Sequence, residues 1–140
     1  MNNNLFRSVS GVVGSGLLTA TIAVLLIDTF VVPVHLWTVT GFGIAFCRDF
    51  AIGSAVGVVT AAFQSKHRTQ SVYGISGVTL AVIMSFVLLA SGGLEVDVNH
   101  LLALLAVSVV VLAPFGALAC GNGFRIGTKV FDALTKSKSQ

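Results

Sequence analysis

One stretch of this chain decides its fold class, and two opposite charges stand side by side at its centre. Residues 37–63 read WTVTGFGIAFCRDFAIGSAVGVVTAAF, which is apolar almost throughout apart from Arg48 and Asp49. The stretch is longer than the roughly 20 residues that an α-helix needs to cross the hydrocarbon core of a bilayer. It therefore predicts a membrane-spanning helix. Charges at that depth cost several kcal/mol unless they are paired or hydrated, so this pair is a functional candidate.

The composition of the whole chain is that of a membrane protein. Of its 140 residues, 55% are hydrophobic and 9% are charged, and the mean hydropathy is +0.97. Soluble domains carry roughly a quarter charged residues, far more than this chain does. The net charge is +3, but no basic patch is interleaved with aromatic residues, so nucleic acid is not a predicted partner.

Four apolar segments are predicted to cross the bilayer, at about residues 9–32, 37–63, 72–90 and 101–120. They are too long and too uniformly apolar for the strands of a membrane barrel, which are about ten residues long and alternate. Helices are the remaining way to satisfy the backbone in lipid. We therefore predict an all-α integral membrane four-helix bundle with short loops, formed by residues 1–123. The first segment exceeds the length of a signal-peptide core and is interpreted as an uncleaved span.

Basic residues predict the orientation of the bundle. Arg7 precedes the first segment, Lys66 and Arg68 lie between the second and third, and further basic residues follow the fourth. The other two loops, at 33–36 and 91–100, contain no Lys or Arg. Because Lys and Arg accumulate on the cytoplasmic side, both termini are predicted to be cytoplasmic in an inner or plasma membrane.

The end of the chain, residues 124–140, is predicted to be a basic amphipathic cytoplasmic tail. One face at helical spacing consists of Gly127, Val130, Phe131 and Leu134. Such a helix could lie on the inner leaflet, or it could simply extend the fourth span. Upstream, Gly121-Asn122-Gly123 predicts a C-cap that ends that span, and Pro114 predicts a kink within it.

Three charges fall within the predicted spans: Asp28, Arg48 and Asp49. Asp28 and Arg48 lie on the two arms of one hairpin at depths that differ by roughly 9 Å, which an extended Arg side chain could bridge in large part. We predict an Asp28–Arg48 ion pair, with Asp49 facing the bundle interior or a subunit interface. Three interpretations remain open: the charges fix packing and register, they line an ion or proton path, or Arg48 and Asp49 mark a broken helix at an interface.

Glycine spacing predicts close helix packing. Gly53 and Gly57 form a GxxxG motif that continues the face of Asp49, and this motif lets two helices approach closely. A small bundle with glycine-rich faces is expected to hide them in a homo-oligomer or a larger membrane complex.

No pattern predicts catalysis, a cofactor or a metal site. The two cysteines, Cys47 and Cys120, lack zinc-ligand spacing, and no Ser, His and Asp converge at one depth. The chain is therefore predicted not to be an enzyme. The leading hypothesis is a small pore, channel or transport subunit. The alternative is a structural subunit of a secretion or conjugation machine, or a phage-type membrane-permeabilising protein.

Overall fold

The computed structural model describes residues 3–28, 38–64, 69–92 and 97–137, and within these ranges the regular structure is entirely helical. This confirms the predicted all-α class. The elements are α1 (Asn3–Ile22), continued by a π-helical segment (Ala23–Asp28), α2 (Val39–Phe63), α3 (Thr69–Gly92), α4 (Val98–Gly116), continued by a second π-helical segment (Ala117–Gly121), and α5 (Asn122–Ser137).

Local chemistry explains where α2 begins and ends. Thr38 is extended, and its side-chain oxygen accepts a hydrogen bond from the backbone N–H of Gly41 at 3.0 Å, which is an N-cap. The helix ends where the apolar run gives way to Gln64, whose backbone is again extended. These bounds agree closely with the predicted segment 37–63. The predicted turn at Pro33 lies outside the described residues.

The predicted C-cap at residues 121–123 is wrong, because the helix continues through it. The backbone N–H of Ala117 bonds to the carbonyls of Ala113 and Pro114, and Asn122 has right-handed helical torsions (φ −66°, ψ −42°). Pro114 is followed by a π-helical segment, a local widening by which a helix can re-pair its backbone. Gly123 serves close packing instead of a turn, since a Cβ built there would lie 2.5 Å from the carbonyl oxygen of Gly14.

Three helices are long and apolar enough to cross a membrane: Asn3–Leu26, Val39–Phe63 and Val98–Ser137. The last has 40 residues and would be about 60 Å long, roughly twice the thickness of a hydrocarbon core. The described apolar stretch of α3, Ser71–Val87, is shorter than the other three. A fourth crossing by α3 therefore stays a prediction.

The helices pack against one another around a small core. Helix α1 lies against α2 on one side and against α5 on the other, and α3 lies against α4. Val56, Leu80 and Cys120 are buried together where these helices meet. Arg7 and Asp132 form an ion pair at 3.0 Å, which brings the start of α1 and the end of α5 to one end of the bundle.

Large apolar side chains cover much of the outer surface, for example on α4, where Leu102, Val107, Val110 and Val111 are exposed. A soluble monomer rarely exposes a contiguous apolar area of this kind. Lipid tails are as apolar as these side chains, so a bilayer would cover them without penalty.

Candidate functional site

Arg48 and Asp49 form an ion pair with each other near the middle of α2. Arg48 Nε donates to Asp49 Oδ1 at 2.8 Å, and Arg48 Nη2 donates to Asp49 Oδ2 at 3.1 Å. Two nitrogen atoms of one guanidinium bond to the two oxygens of one carboxylate, and this bidentate geometry makes Arg–carboxylate pairs strong. Only 8% of the Asp49 side chain is exposed, compared with 56% for Arg48. The burial of Asp49 agrees with the prediction that it faces the interior.

The pair opens onto a cavity of about 280 Å³ between four helices. Apart from Arg48, Asp49 and Thr19, the walls are apolar. The lining residues are Thr19 and Ala23 from the first helix, Arg48, Asp49 and Ile52 from α2, Leu80, Met84 and Val87 from α3, and Leu112 and Phe115 from α4. A space of this size that carries a charged pair can hold several water molecules.

A buried polar contact lies beside this cavity. Thr19 Oγ1 lies 3.1 Å from Cys120 Sγ, and both residues are buried. One turn earlier on α1, Ser15 Oγ donates to the carbonyl oxygen of Gly53 at 2.7 Å. Interhelical hydrogen bonds of this kind stabilise helix association in lipid. Cys120 is buried and Cys47 is exposed, and both are free thiols.

The predicted partner of Arg48 on the first helix lies partly outside the described structure. The backbone of Asp28 ends the π-helical segment that continues α1, but its side chain is not among the described ones. Arg48 makes a further interaction beyond the bonds to Asp49. The Asp28–Arg48 ion pair therefore stays a prediction.

Gly53 and Gly57 lie in the interface between α2 and α1 of the same chain. A Cβ built on Gly53 would lie 2.6 Å from Cβ of Thr19, and one built on Gly57 would lie 3.0 Å from Cα of Val12. The first distance is shorter than real Cβ contacts and the second is shorter than most of them, so the glycines of the GxxxG motif allow these two backbones to approach closely. The motif thus serves packing within the chain.

A second glycine seam, meaning a line along which two helices touch through glycine residues, was not predicted, although Gly123 and Gly127 have the same GxxxG spacing. A Cβ on Gly14 would lie 3.0 Å from Cα of Gly127, and Ser10 Oγ donates to the Gly127 carbonyl at 2.7 Å. The spacing was the signal that could have revealed this seam. The contacts across this seam show that residues 122–137, which extend the helix of α4, pack along α1.

A polar cluster at the junction of α3 and α5 was also missed. Arg125 Nη1 donates to the Tyr73 hydroxyl at 2.6 Å, and that hydroxyl donates to Asn122 Oδ1 at 2.9 Å. The Arg125 guanidinium carbon also lies 5.5 Å from the centre of the Tyr73 ring, within cation–π range. Tyr73 meets Asn122 and Arg125, which lie 49 and 52 positions further along the chain. No local sequence pattern could indicate such a contact.

Within the described ranges, no group of three or more His, Cys, Asp or Glu side chains is placed to hold a metal. His100 is exposed at the start of α4, while His35 and His67 lie outside the described residues. The predicted absence of metals, cofactors and enzymatic activity stays a prediction. Comparison of the chain with protein-family models, with curated proteins and with solved structures finds no significant match.

Proposed function

We propose that this chain is an integral protein of an inner or plasma membrane and acts as a subunit of a small pore, channel or transporter. In this proposal it crosses the bilayer four times, with both termini in the cytoplasm. The three helices that are long and apolar enough to cross a membrane support this arrangement. So does the Arg7–Asp132 pair, because an even number of crossings returns the two ends of a chain to one side.

The single observation that carries the transport proposal is the placement of the Arg48–Asp49 pair. The pair lies in the wall of a cavity that is lined by the first helix, α2, α3 and α4 and is otherwise mostly apolar. Ionisable residues within membrane segments commonly mark ion pathways, proton relays or substrate sites. If packing were the sole requirement, an apolar side chain would fill the same space at lower cost.

The two side chains would act differently on a passing ion or small polar solute. Asp49 is held in place by burial and by both of its bonds to Arg48. Arg48 is more than half exposed, so its guanidinium could turn away from Asp49 and expose the carboxylate to a passing cation or water molecule. Charged side chains beside water-filled paths set ion selectivity in this way.

Flux through reconstituted vesicles tests the proposal. Asp49→Asn keeps the shape of the side chain and removes its charge, and we expect it to change ion or solute flux while the protein remains folded. Asp132→Asn is a matched control, because it makes the same chemical change in the pair with Arg7 at the end of the bundle. Unchanged flux in Asp49→Asn, or equal changes in both variants, would refute the role of the cavity.

A structural role in a membrane machine is the second candidate, and the apolar outer surface of α4 favours it. Four large side chains of that helix are exposed within ten residues, which suits another subunit as well as lipid. The size and composition of the detergent-purified particle discriminate between the two candidates. A particle that contains other proteins favours the structural role, while leakage or growth arrest on expression favours a pore or a permeabilising protein.

A further inference from the structure

The Tyr73–Asn122–Arg125 cluster has features of a binding site for a phosphate group; the inference rests on the proposed membrane location and not on the proposed transport. Arg125 has five N–H donors, and the described structure shows one of them bonded, to the Tyr73 hydroxyl. The ion pairs within the described ranges are Arg7–Asp132 and Arg48–Asp49, so no described carboxylate neutralises Arg125. The guanidinium is half-buried and charged, and its planar fork matches the geometry of phosphate oxygens.

The surroundings hold this guanidinium in a defined position. The Tyr73 ring packs on the backbone of Gly121, where a Cβ would lie 2.7 Å from Cδ1 of the ring. Tyr73 is thereby fixed against the π-helical segment, and its hydroxyl accepts from Arg125 and donates to Asn122. An arginine that is already ordered loses less conformational entropy on binding than a mobile one.

The charge around the cluster favours an anion at the membrane surface. Lys129 is exposed one helical turn beyond Arg125 and lies on the same face of α5. The acid of that helix, Asp132, is already bonded to Arg7. Tyr73 lies near the beginning of α3, and Arg125 follows Phe124, whose ring lies against Gly11 in the first half of α1. The cluster is therefore expected at the level of the lipid headgroups, where basic pockets between helices bind anionic lipids.

We propose that the Tyr73–Asn122–Arg125 cluster binds the phosphate group of an anionic phospholipid at the membrane surface. The full chain in a mild detergent is titrated with phosphatidylglycerol or phosphatidylcholine, and bound lipid is counted by native mass spectrometry. The unaltered protein should prefer phosphatidylglycerol. Because a charge-assisted hydrogen bond contributes roughly 1.5–3 kcal/mol, Arg125→Gln should weaken phosphatidylglycerol binding roughly tenfold or more.

Lys136→Gln is the matched control, because it removes the same charge from the same face of α5 three turns away. It should change the affinity for phosphatidylglycerol by less than about twofold, since exposed charges contribute little. Equal losses in Arg125→Gln and Lys136→Gln would mean diffuse attraction and overturn the site. Equal binding of the two lipids by the unaltered protein would overturn it as well.

Two further measurements complete the test. If Arg125→Gln does not fold, Arg125→Lys carries the argument, because it keeps the charge and loses the planar fork. A several-fold loss of affinity is expected for it, and an unchanged affinity would overturn the site. Excess inorganic phosphate should not displace phosphatidylglycerol. Displacement would identify free phosphate as the ligand and overturn the assignment to lipid.

Discussion

Arg48 and Asp49 are consecutive residues on one helix, yet their side chains form a two-point ion pair with N–O distances of 2.8 and 3.1 Å. Consecutive side chains on a helix leave the axis about 100° apart, so the arginine must fold across the helix surface to reach its neighbour. Helix α2 thus neutralises its own charge. This lowers the cost of placing the two charges in a bilayer.

Removing Arg48 should destabilise the protein, because it leaves the buried Asp49 carboxylate without the two hydrogen bonds that Arg48 donates. For Arg48→Gln we expect a loss of about 1–3 kcal/mol in the free energy of unfolding, kept moderate by the exposure of Arg48. Arg7→Gln is the control, since a surface pair contributes about 0–1 kcal/mol. Denaturant unfolding in detergent micelles measures both. Equal losses of unfolding free energy in Arg48→Gln and Arg7→Gln would show that the burial of Asp49 does not strengthen its ion pair.

The predicted Asp28–Arg48 pair is testable by a double-mutant cycle. Asp28→Asn and Arg48→Gln should each reduce the amount of folded protein. The double variant should recover part of the loss, because Arg48→Gln alone leaves the Asp28 charge without its partner and the double variant no longer carries that charge. The yield of folded, monodisperse protein after purification measures the effect. Simple additivity of the two losses would show that the residues do not interact.

The α1–α2 seam should not tolerate a larger side chain at Gly53. Gly53→Leu would place atoms where Cβ of Thr19 and the carbonyl oxygen of Ser15 already lie, and overpacking of this kind costs about 1–3 kcal/mol or more. Gly43→Leu is a matched control on the same helix, because nothing lies within 4 Å of a Cβ built there. Thermal unfolding should show a clear loss for Gly53→Leu and little change for Gly43→Leu. Similar melting temperatures would argue against the seam.

The packing of α5 along α1 predicts a specific cross-link. In a background with Cys47→Ser, the pair Arg7→Cys and Asp132→Cys should be joined by a short bifunctional thiol cross-linker, because the native side chains meet and the linker replaces the length of the arginine. Pairing Arg7→Cys with Ala133→Cys is the control, since Ala133 points about 100° away around the helix. The shift on a non-reducing gel measures the yield. Equal yields from the two pairs would indicate that α5 is not held in this register.

The proposed orientation can be checked by labelling single cysteines in intact cells, again with Cys47→Ser. Asn99→Cys should react with an impermeant thiol reagent added outside, because the acidic loop is expected on that face. Thr69→Cys should not react until the membrane is opened. Labelling of Thr69→Cys in intact cells would overturn the orientation.

Much of the fold could be predicted because apolar runs are local signals. The bounds of α2 agree with the predicted segment within two residues, and the predicted third segment, 72–90, lies within Thr69–Gly92. Burial of Asp49 followed from helical periodicity, which places it on the face of Gly53 and Gly57. The ends of α4 could not be predicted in the same way, since a Gly-Asn-Gly sequence is compatible with a cap and with a tight helix contact.

By itself, the sequence determined the helical class, the apolar surface suited to a membrane, and the presence of charges within an apolar helix, because hydropathy and periodicity depend on neighbouring residues alone. The tertiary structure decided which helices touch and what each polar group meets. It placed Gly14 against Gly127, Tyr73 beneath Arg125, and the Arg48–Asp49 pair in the wall of a cavity. In lipid, hydrophobicity does not select one helix pairing over another, so the choice rests on backbone approach and interhelical hydrogen bonds between residues far apart in the chain.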